Sequence, residues 1–220
     1  MRTSPRARRA VSACCALAAS TTIGGSAAGS STAPAEDAQG PIATTAAPST
    51  QRERLNVRVG QTAVVTGTAH AGRTVVLERR RGGRWSALDH ARTDATGRYR
   101  LRHVTKRTSS ARVRVRIAGT ATARSLGRMN VYRRTFASWY GPGFYGRRTA
   151  CGQTVSNSIR GVAHRTLPCG TRLTLRRGDR IVRARVVDRG PFHTGREFDL
   201  TPAVKRALGF DSTGAVEVAV

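Results

Sequence analysis

The 220-residue sequence predicts an all-β protein, a small antiparallel sandwich followed by a small closed barrel with one short helix. Three observations carry this. Between Leu55 and about Arg133, short runs alternate apolar and polar residues and are separated by turn signals. From Thr135 to Val220 the strand pattern resumes, broken by a single helix signal. Ahead of Leu55 the chain lacks the apolar bulk to build a core of its own.

The N-terminal segment has the layout of a secretory signal over residues 1–28. Arg2, Arg6, Arg8 and Arg9 precede a short uncharged apolar run from Ala10 to Ala19, and small residues follow, with cleavage points after Ala28 or Ala35. The run falls short of the ~20 apolar residues that a spanning helix needs, and no transmembrane segment is expected later in the chain. Val11-Ser-Ala-Cys14 has the residue types of a lipoprotein cleavage box, but no apolar stretch precedes it, which argues against a lipid anchor at Cys14. Residues 29–54 are Ala, Thr, Ser, Pro and Gly for the most part and are expected to form a disordered linker.

In the second segment, residues 55–133, Leu55-Asn-Val-Arg-Val59, Thr74-Val-Val-Leu-Glu78 and Ala111-Arg-Val-Arg-Val-Arg-Ile117 read as strands. The last alternates strictly and gives a strand with one arginine face. Ala71-Gly72, Gly82-Gly83, Asp94-Ala-Thr-Gly97 and Ala118-Gly119 mark the turns, and strands at this spacing suggest a sandwich. The whole chain has 39 Lys+Arg against 12 Asp+Glu, a net charge of +27, and only Lys106 and Lys205 are lysines. The segment from Leu55 to Arg133 holds 18 basic and 3 acidic residues, +15, more than half of the total. This balance has two readings, a bias toward arginine codons or attraction to a polyanion such as a nucleic acid, an anionic membrane or an anionic wall.

In the third segment, residues 135–220, Arg172-Leu-Thr-Leu-Arg176 and Ile181-Val-Arg-Ala-Arg-Val-Val187 flank a Gly178-Asp179 turn and predict a hairpin, and Val216–Val220 predicts a final strand. Thr201 as N-cap, Pro202 at the first helical position and Gly209 past the end bracket a helix through Leu208.

Cys14 and Cys15 would leave with the signal, so Cys151 and Cys169 remain. Two cysteines of an exported chain pair as a rule; a catalytic thiol is the rival reading. They are too few for a cysteine-type zinc site, no clustered ligand spacing occurs, and no metal is expected. Among the acidic residues, Asp179 belongs to a turn, Glu217 alternates outward on the last strand and Asp211 lies in a polar loop. Glu197 and Asp199 precede the helix, where negative charge suits its N-terminus. Asp188 differs: it follows a strand directly and opens a turn, a place from which a carboxylate faces a cleft. An Asp turn bonded to its own backbone is the competing reading. His164 lies five residues before Cys169, and Trp139 and Tyr140 precede the loop Gly141-Pro-Gly-Phe-Tyr-Gly146, where aromatics either stack on sugars or pack in a core.

Two resemblances add to this. Gly67, Val75-Val-Leu-Glu-Arg79, Gly83-Arg-Trp85 and Thr93-Asp-Ala-Thr-Gly97-Arg-Tyr99 are similar to bacterial immunoglobulin-like wall modules. Ala137-Ser-Trp-Tyr-Gly141, Gly146-Arg-Arg-Thr-Ala150, Ala163-His-Arg-Thr-Leu-Pro168, Gly170-Thr171, Val187-Asp-Arg-Gly-Pro-Phe192, Asp199-Leu200 and Ala207-Leu-Gly209 occur in an order that resembles the RlpA (rare lipoprotein A) family. That resemblance implies a six-stranded double-psi β-barrel over 135–220, akin to expansins, in a secreted, cell-wall-associated monomer without cofactor. It implies a lytic transglycosylase acting on peptidoglycan glycan strands, with Asp188 and His164 catalytic and Trp139, Tyr140, Gln153 and Arg189 in contact with substrate. Asp188 would protonate the leaving oxygen and then take the proton of the sugar's 6-hydroxyl, with a raised carboxyl pKa supplied by burial, while His164 positions Asp188 or substrate. Catalytic members often carry Gly-Glu after the Thr-Ala pair, where this chain has Cys151-Gly-Gln153, so a non-catalytic, expansin-like wall-loosening protein is the alternative. The basic sandwich is expected to attract anionic wall polymers. Specific nucleic-acid binding ranks below, for no groove-reading helix or motif is present.

Overall fold

The computed structural model describes residues 46–220. The expected signal, its cleavage points and Cys14 lie outside the described residues. The expected linker gives way to structure before residue 54, because Ser49–Arg54 forms strand β1. β1 lies antiparallel along β3 (Thr62–Thr68). The Tyr99 hydroxyl donates to the Ser49 carbonyl at 2.6 Å, and the Ser49 and Thr68 hydroxyls meet at 2.6 Å. Backbone pairing orders this polar stretch without apolar burial, which is why its composition gave no strand signal.

The strands up to residue 132 form two sheets. The smaller has the order β1-β3-β6, with β6 at Arg98–Val104. The larger runs β5-β4-β7-β8 and comprises Arg84–Arg92, Thr74–Arg81, Ser109–Ile117 and the first part of Ala123–Trp139. The three-residue β2, Asn56–Arg58, pairs parallel with β8. Period-two alternation places Ala63 and Val65 of β3, Leu101 of β6 and Val113, Val115 and Ile117 of β7 in one apolar core shared by both sheets. On the outward face of β7, Arg114 and Arg116 both pair with Glu78, at 2.7 and 2.9 Å.

Strand β8 continues without a break across residues 133–135, so the boundary expected there falls inside a strand. Its Met129–Tyr132 stretch is buried on both faces. Met129 and Val131 enter the N-terminal core, whereas Asn130 and Tyr132 face a polar seam with the C-terminal half. There the Asn130 amide donates to Asn56 Oδ1 at 2.8 Å, and the Ser110 hydroxyl donates to Asn130 Oδ1 at 2.7 Å and meets Thr174 Oγ1 at 3.1 Å.

The second part of β8 enters a ring with β9 (Gly161–Ala163), β10 (Arg172–Arg177), β11 (Arg180–Asp188), β12 (Phe198–Leu200) and β13 (Gly214–Ala219). The order β8-β13-β10-β11-β9-β12 closes because β12 also pairs with β8, which makes a six-stranded barrel. The pairs β9–β11 and β8–β12 are parallel and the others antiparallel. Val162, Leu173, Leu175, Val186, Phe198, Leu200 and Val218 fill the inside, capped by Val204 and Leu208 of helix α1 (Pro202–Leu208). The helix ends on Gly209 in the left-handed region, as expected. Thr201 stands at the N-cap, but its hydroxyl makes no cap bond. It donates to the Ile159 carbonyl at 2.6 Å and accepts from the Gly161 N–H at 3.1 Å, tying the helix start to β9.

Candidate functional site

The row of residues across the ring at the end of β11 sets the site. Ala163 of β9 is in register with Asp188 on one side and Asp199 of β12 on the other, and Asp199 is in register with Ser138 of β8. A β-bulge between Val186 and Asp188 turns the end of β11. Gly161 permits that bend, since a Cβ there would lie 2.3 Å from Val187 Cγ2. With neighbouring strands ~4.8 Å apart, the backbones of Asp188 and Asp199 stand roughly 10 Å from each other across the small Ala163 side chain.

Asp188 is held by donors on both oxygens. The Tyr140 hydroxyl donates to Oδ2 at 2.8 Å, and the Ala150 and Arg189 N–H groups donate to Oδ1 at 2.7 and 2.8 Å. Burial, followed by the hydrogen bond to Asp188 and the charges of Asp188 and Asp199, pushes the Tyr140 phenol far above its ordinary value, so it stays a donor. Asp199 accepts from the Ser138 hydroxyl. Phe144 packs edge-on against Tyr140 with centroids 5.5 Å apart and is 46% exposed. Phe192, 83% exposed, follows the cis Gly190–Pro191 bond. A Cβ on Gly190 would touch both the Phe192 ring and the Asp199 carboxylate, at 3.7 and 3.9 Å. Two acids therefore share one face, with exposed aromatic rings beside Tyr140 and Asp199.

His164 follows Ala163, and its backbone N–H donates to the Asp188 carbonyl at 3.1 Å. Its ring is committed elsewhere. Nδ1 accepts from the Thr166 and Leu167 N–H groups at 3.1 and 3.0 Å, which leaves the proton on Nε2, 3.3 Å from Glu197 Oε1. Glu197 also accepts from Arg133 and, at 2.5 Å, from the Thr135 hydroxyl. Burial works against its charge, but the Arg133 and Thr135 hydrogen bonds, the Arg133 charge and His164 hold its pKa down at about 2. Of the two roles expected of His164, positioning Asp188 or substrate, the ring's hydrogen bonds serve neither directly, for they run to Glu197, Thr166 and Leu167.

The remaining expected site residues divide. Tyr140 joins Asp188. Arg189 reaches it through its backbone, while its guanidinium donates to the His164 and Leu167 carbonyls at 3.2 and 2.8 Å. Trp139 packs against the barrel core beneath Lys205, whose Nζ lies 4.3 Å from the ring centroid, so its contacts are on the helix side. Gln153 is exposed; its backbone bonds to Thr149 close the turn that presents Ala150 to Asp188. Cys151 and Cys169 are bonded, 5.7 Å apart at Cα, and join that turn to the His164 loop. Among the described residues no cluster of three or more His, Cys, Asp or Glu has the arrangement to hold a metal ion.

Residues 133–220, the strands of this ring, match the family model described as lytic transglycolase. The barrel is an RlpA-like double-psi β-barrel. A Synechocystis protein named "Probable endolytic peptidoglycan transglycosylase RlpA" is 51% identical over 87 residues, 38% of this chain and 27% of the relative. An Aquifex aeolicus protein of the same name is 42% identical over 88 residues, 39% of this chain and 38% of the relative. A Campylobacter jejuni "Endolytic peptidoglycan transglycosylase RlpA" is 39% identical over 84 residues, 37% and 30% of the two chains. The RlpA-like match is confined to the barrel, and this chain spans well under half the length of these relatives.

Four residues stand near Asp188 and His164 beyond the site residues expected from the sequence: Glu197, Asp199, Phe144 and Phe192. The first two carried a usable signal. Glu197-Phe-Asp199 alternates about the buried Phe198, a pattern that sets both acids on the side opposite to it.

Proposed function

We propose that this is an exported cell-wall protein whose barrel cleaves the glycan strands of peptidoglycan as an endolytic transglycosylase. The observation that carries this reading is Asp188, set at a strand end between Tyr140, Ala150 and Arg189, opposite Asp199 and beside exposed aromatic rings, in a barrel similar to proteins named for that activity. Phe144 and Phe192 suit sugar rings as stacking faces. The Asp188 carboxylic acid gives its proton to the glycosidic oxygen as the C1–O bond breaks. The Asp199 carboxylate faces the positive charge that develops at C1. The sugar's own 6-hydroxyl then attacks C1, its proton passes to the Asp188 carboxylate, and a 1,6-anhydro end forms with the acid restored. One proton-transfer group suffices because no water is activated, unlike in the two-carboxylate hydrolases. His164 acts as a positioning residue through Glu197 and the 164–169 loop.

The N-terminal sheets form an immunoglobulin-like module in this reading, the leader directs export, and the chain works as a monomer. The test is incubation with purified glycan strands free of stem peptides, followed by mass spectrometry. Wild type yields anhydro-ended fragments and Asp188→Asn yields less than about 1% of them. Absence of anhydro ends from folded wild type, where a known transglycosylase produces them, sinks the reading.

Gln153 favours a second reading, a non-catalytic wall-loosening protein, because a neutral amide stands where family enzymes often carry an acid. It expects sedimentation with insoluble walls without soluble product.

A further inference from the structure

Arginines of both sheet systems meet at the junction without an acidic partner among the described residues. A cleft of about 690 Å³ beside Ser110 and Thr174 is lined by Arg128, Arg160, Arg172, Arg183 and Arg185 and by no acidic residue. Arg183 and Arg185 alternate with the buried Val182, Ala184 and Val186, so the barrel pattern itself turns them outward. The register sets Arg172 directly opposite Arg185, and on the other side of the junction sets Arg112 opposite Arg128. Facing like charges destabilise a strand pair. Two other arginine groups of this chain share an acid, Glu78 between Arg114 and Arg116 and Glu217 between Arg58 and Arg176. Here, among the described residues, none of the six arginines forms an ion pair. Arg128 is only part-exposed and donates to the Ser110 carbonyl at 2.9 Å, and burial with the charges of Arg183, Arg112 and Arg172 lowers its pKa. Ser110 also lines a second cleft of about 600 Å³ that includes Arg79, Arg80, Arg81, Lys106 and Arg107, again with no acidic residue.

We infer that this arginine cleft is a binding site for a linear polyol-phosphate polymer. Guanidinium groups pair with phosphate oxygens in two-pronged fashion, and several in one groove suit an anion repeated along a chain rather than a single ion. The lining has Ser, Thr, Leu and Ala beside the arginines and no aromatic or amide side chain, so nothing in it stacks on or reads a nucleic-acid base. The junction at Ser110 lets such a chain pass from one cleft to the next. The site is separate from the Asp188 chemistry and stands whether or not the barrel cleaves glycan.

The test is fluorescence anisotropy with a labelled glycerol-phosphate oligomer at low and moderate salt, on the mature chain. Arg183→Ser with Arg185→Ser is expected to weaken binding by about tenfold or more and to reduce the slope of log K against log salt by about 1 to 2. Arg98→Ser with Arg100→Ser removes the same charge from β6, outside the cleft, and is expected to change binding by less than about twofold. The oligomer raises the melting temperature of wild type and leaves that of the cleft variant unmoved, which separates lost binding from lost folding. An equal loss in the β6 variant, equal binding of polyglutamate of the same charge, or tighter binding of single-stranded DNA each overturns the proposal.

Discussion

Glu197 is the most heavily engaged acid of the barrel site, with Arg133, Thr135 and His164 converging on one carboxylate. Its folded pKa of about 2 lies below the ordinary 4.5, so the stabilisation it supplies is fully present above pH 4.5. That contribution fades as pH falls from there through about 2, where the folded state also takes up the proton. Melting curves of wild type and Glu197→Gln across pH 2–7 are therefore expected to differ most near neutrality and to converge toward pH 2; a constant gap contradicts the assignment. The same residue shows where the sequence stopped being informative. The place of Asp188 at a strand end is legible because a strand end beside a turn is a local feature. His164 stands out by its distance to Cys169, but its ring partner lies 33 residues away, just before a three-residue strand. Glu197 and Asp199 had a sufficient local explanation as charges before a helix. Only the register of β12 between β8 and β9 puts Asp199 in one row with Asp188, and only its bond to the His164 ring ties Glu197 to the same region.

Among the elements, the two loops that frame Asp188 share one covalent brace. Cys151 follows Ala150, whose N–H holds Asp188, and Cys169 closes the loop on which Thr166 and Leu167 fix the His164 ring. Replacing both cysteines by Ser frees a loop of 18 residues in the unfolded chain and is expected to cost ~3 kcal/mol in urea unfolding. A loss below about 1 kcal/mol means that hydrogen bonds alone hold these loops. The hairpin of β10 and β11, the last strand and the helix were readable because each has its own period and punctuation. β9 and β12 were not, because three residues are too few to show a period, and the β1 stretch was hidden by its polar composition. Thr201 suits an N-cap by residue type, whereas its hydroxyl follows a tertiary demand from Ile159 and Gly161.

At the scale of the whole molecule, the two halves are joined by β8 and by a charged seam rather than by a linker. Glu217 faces outward from the barrel, as its alternation implied, yet it is buried, because Arg58 of the N-terminal half and Arg176 of β10 cover it. Burial works against its charge, but hydrogen bonds from both arginines lower its pKa. Arg176 in turn lies over the Tyr132 ring, 4.3 Å from its centroid, and burial raises that phenol to about 12. Glu217→Ala leaves two arginines facing each other in a covered seam, which is expected to cost about 1–3 kcal/mol after allowing for the exposure of Arg58. The chain has two tryptophans, Trp85 on β5 and Trp139 at the end of β8, so single-tryptophan variants report each half separately. In the wild-type background the two reporters are expected to share one urea midpoint, because β8 and the seam couple the cores. With Glu217→Ala the midpoints separate, while a conservative Glu217→Asp largely keeps them together. Coincident midpoints in Glu217→Ala would mean that the continuous strand alone makes the two cores one folding unit.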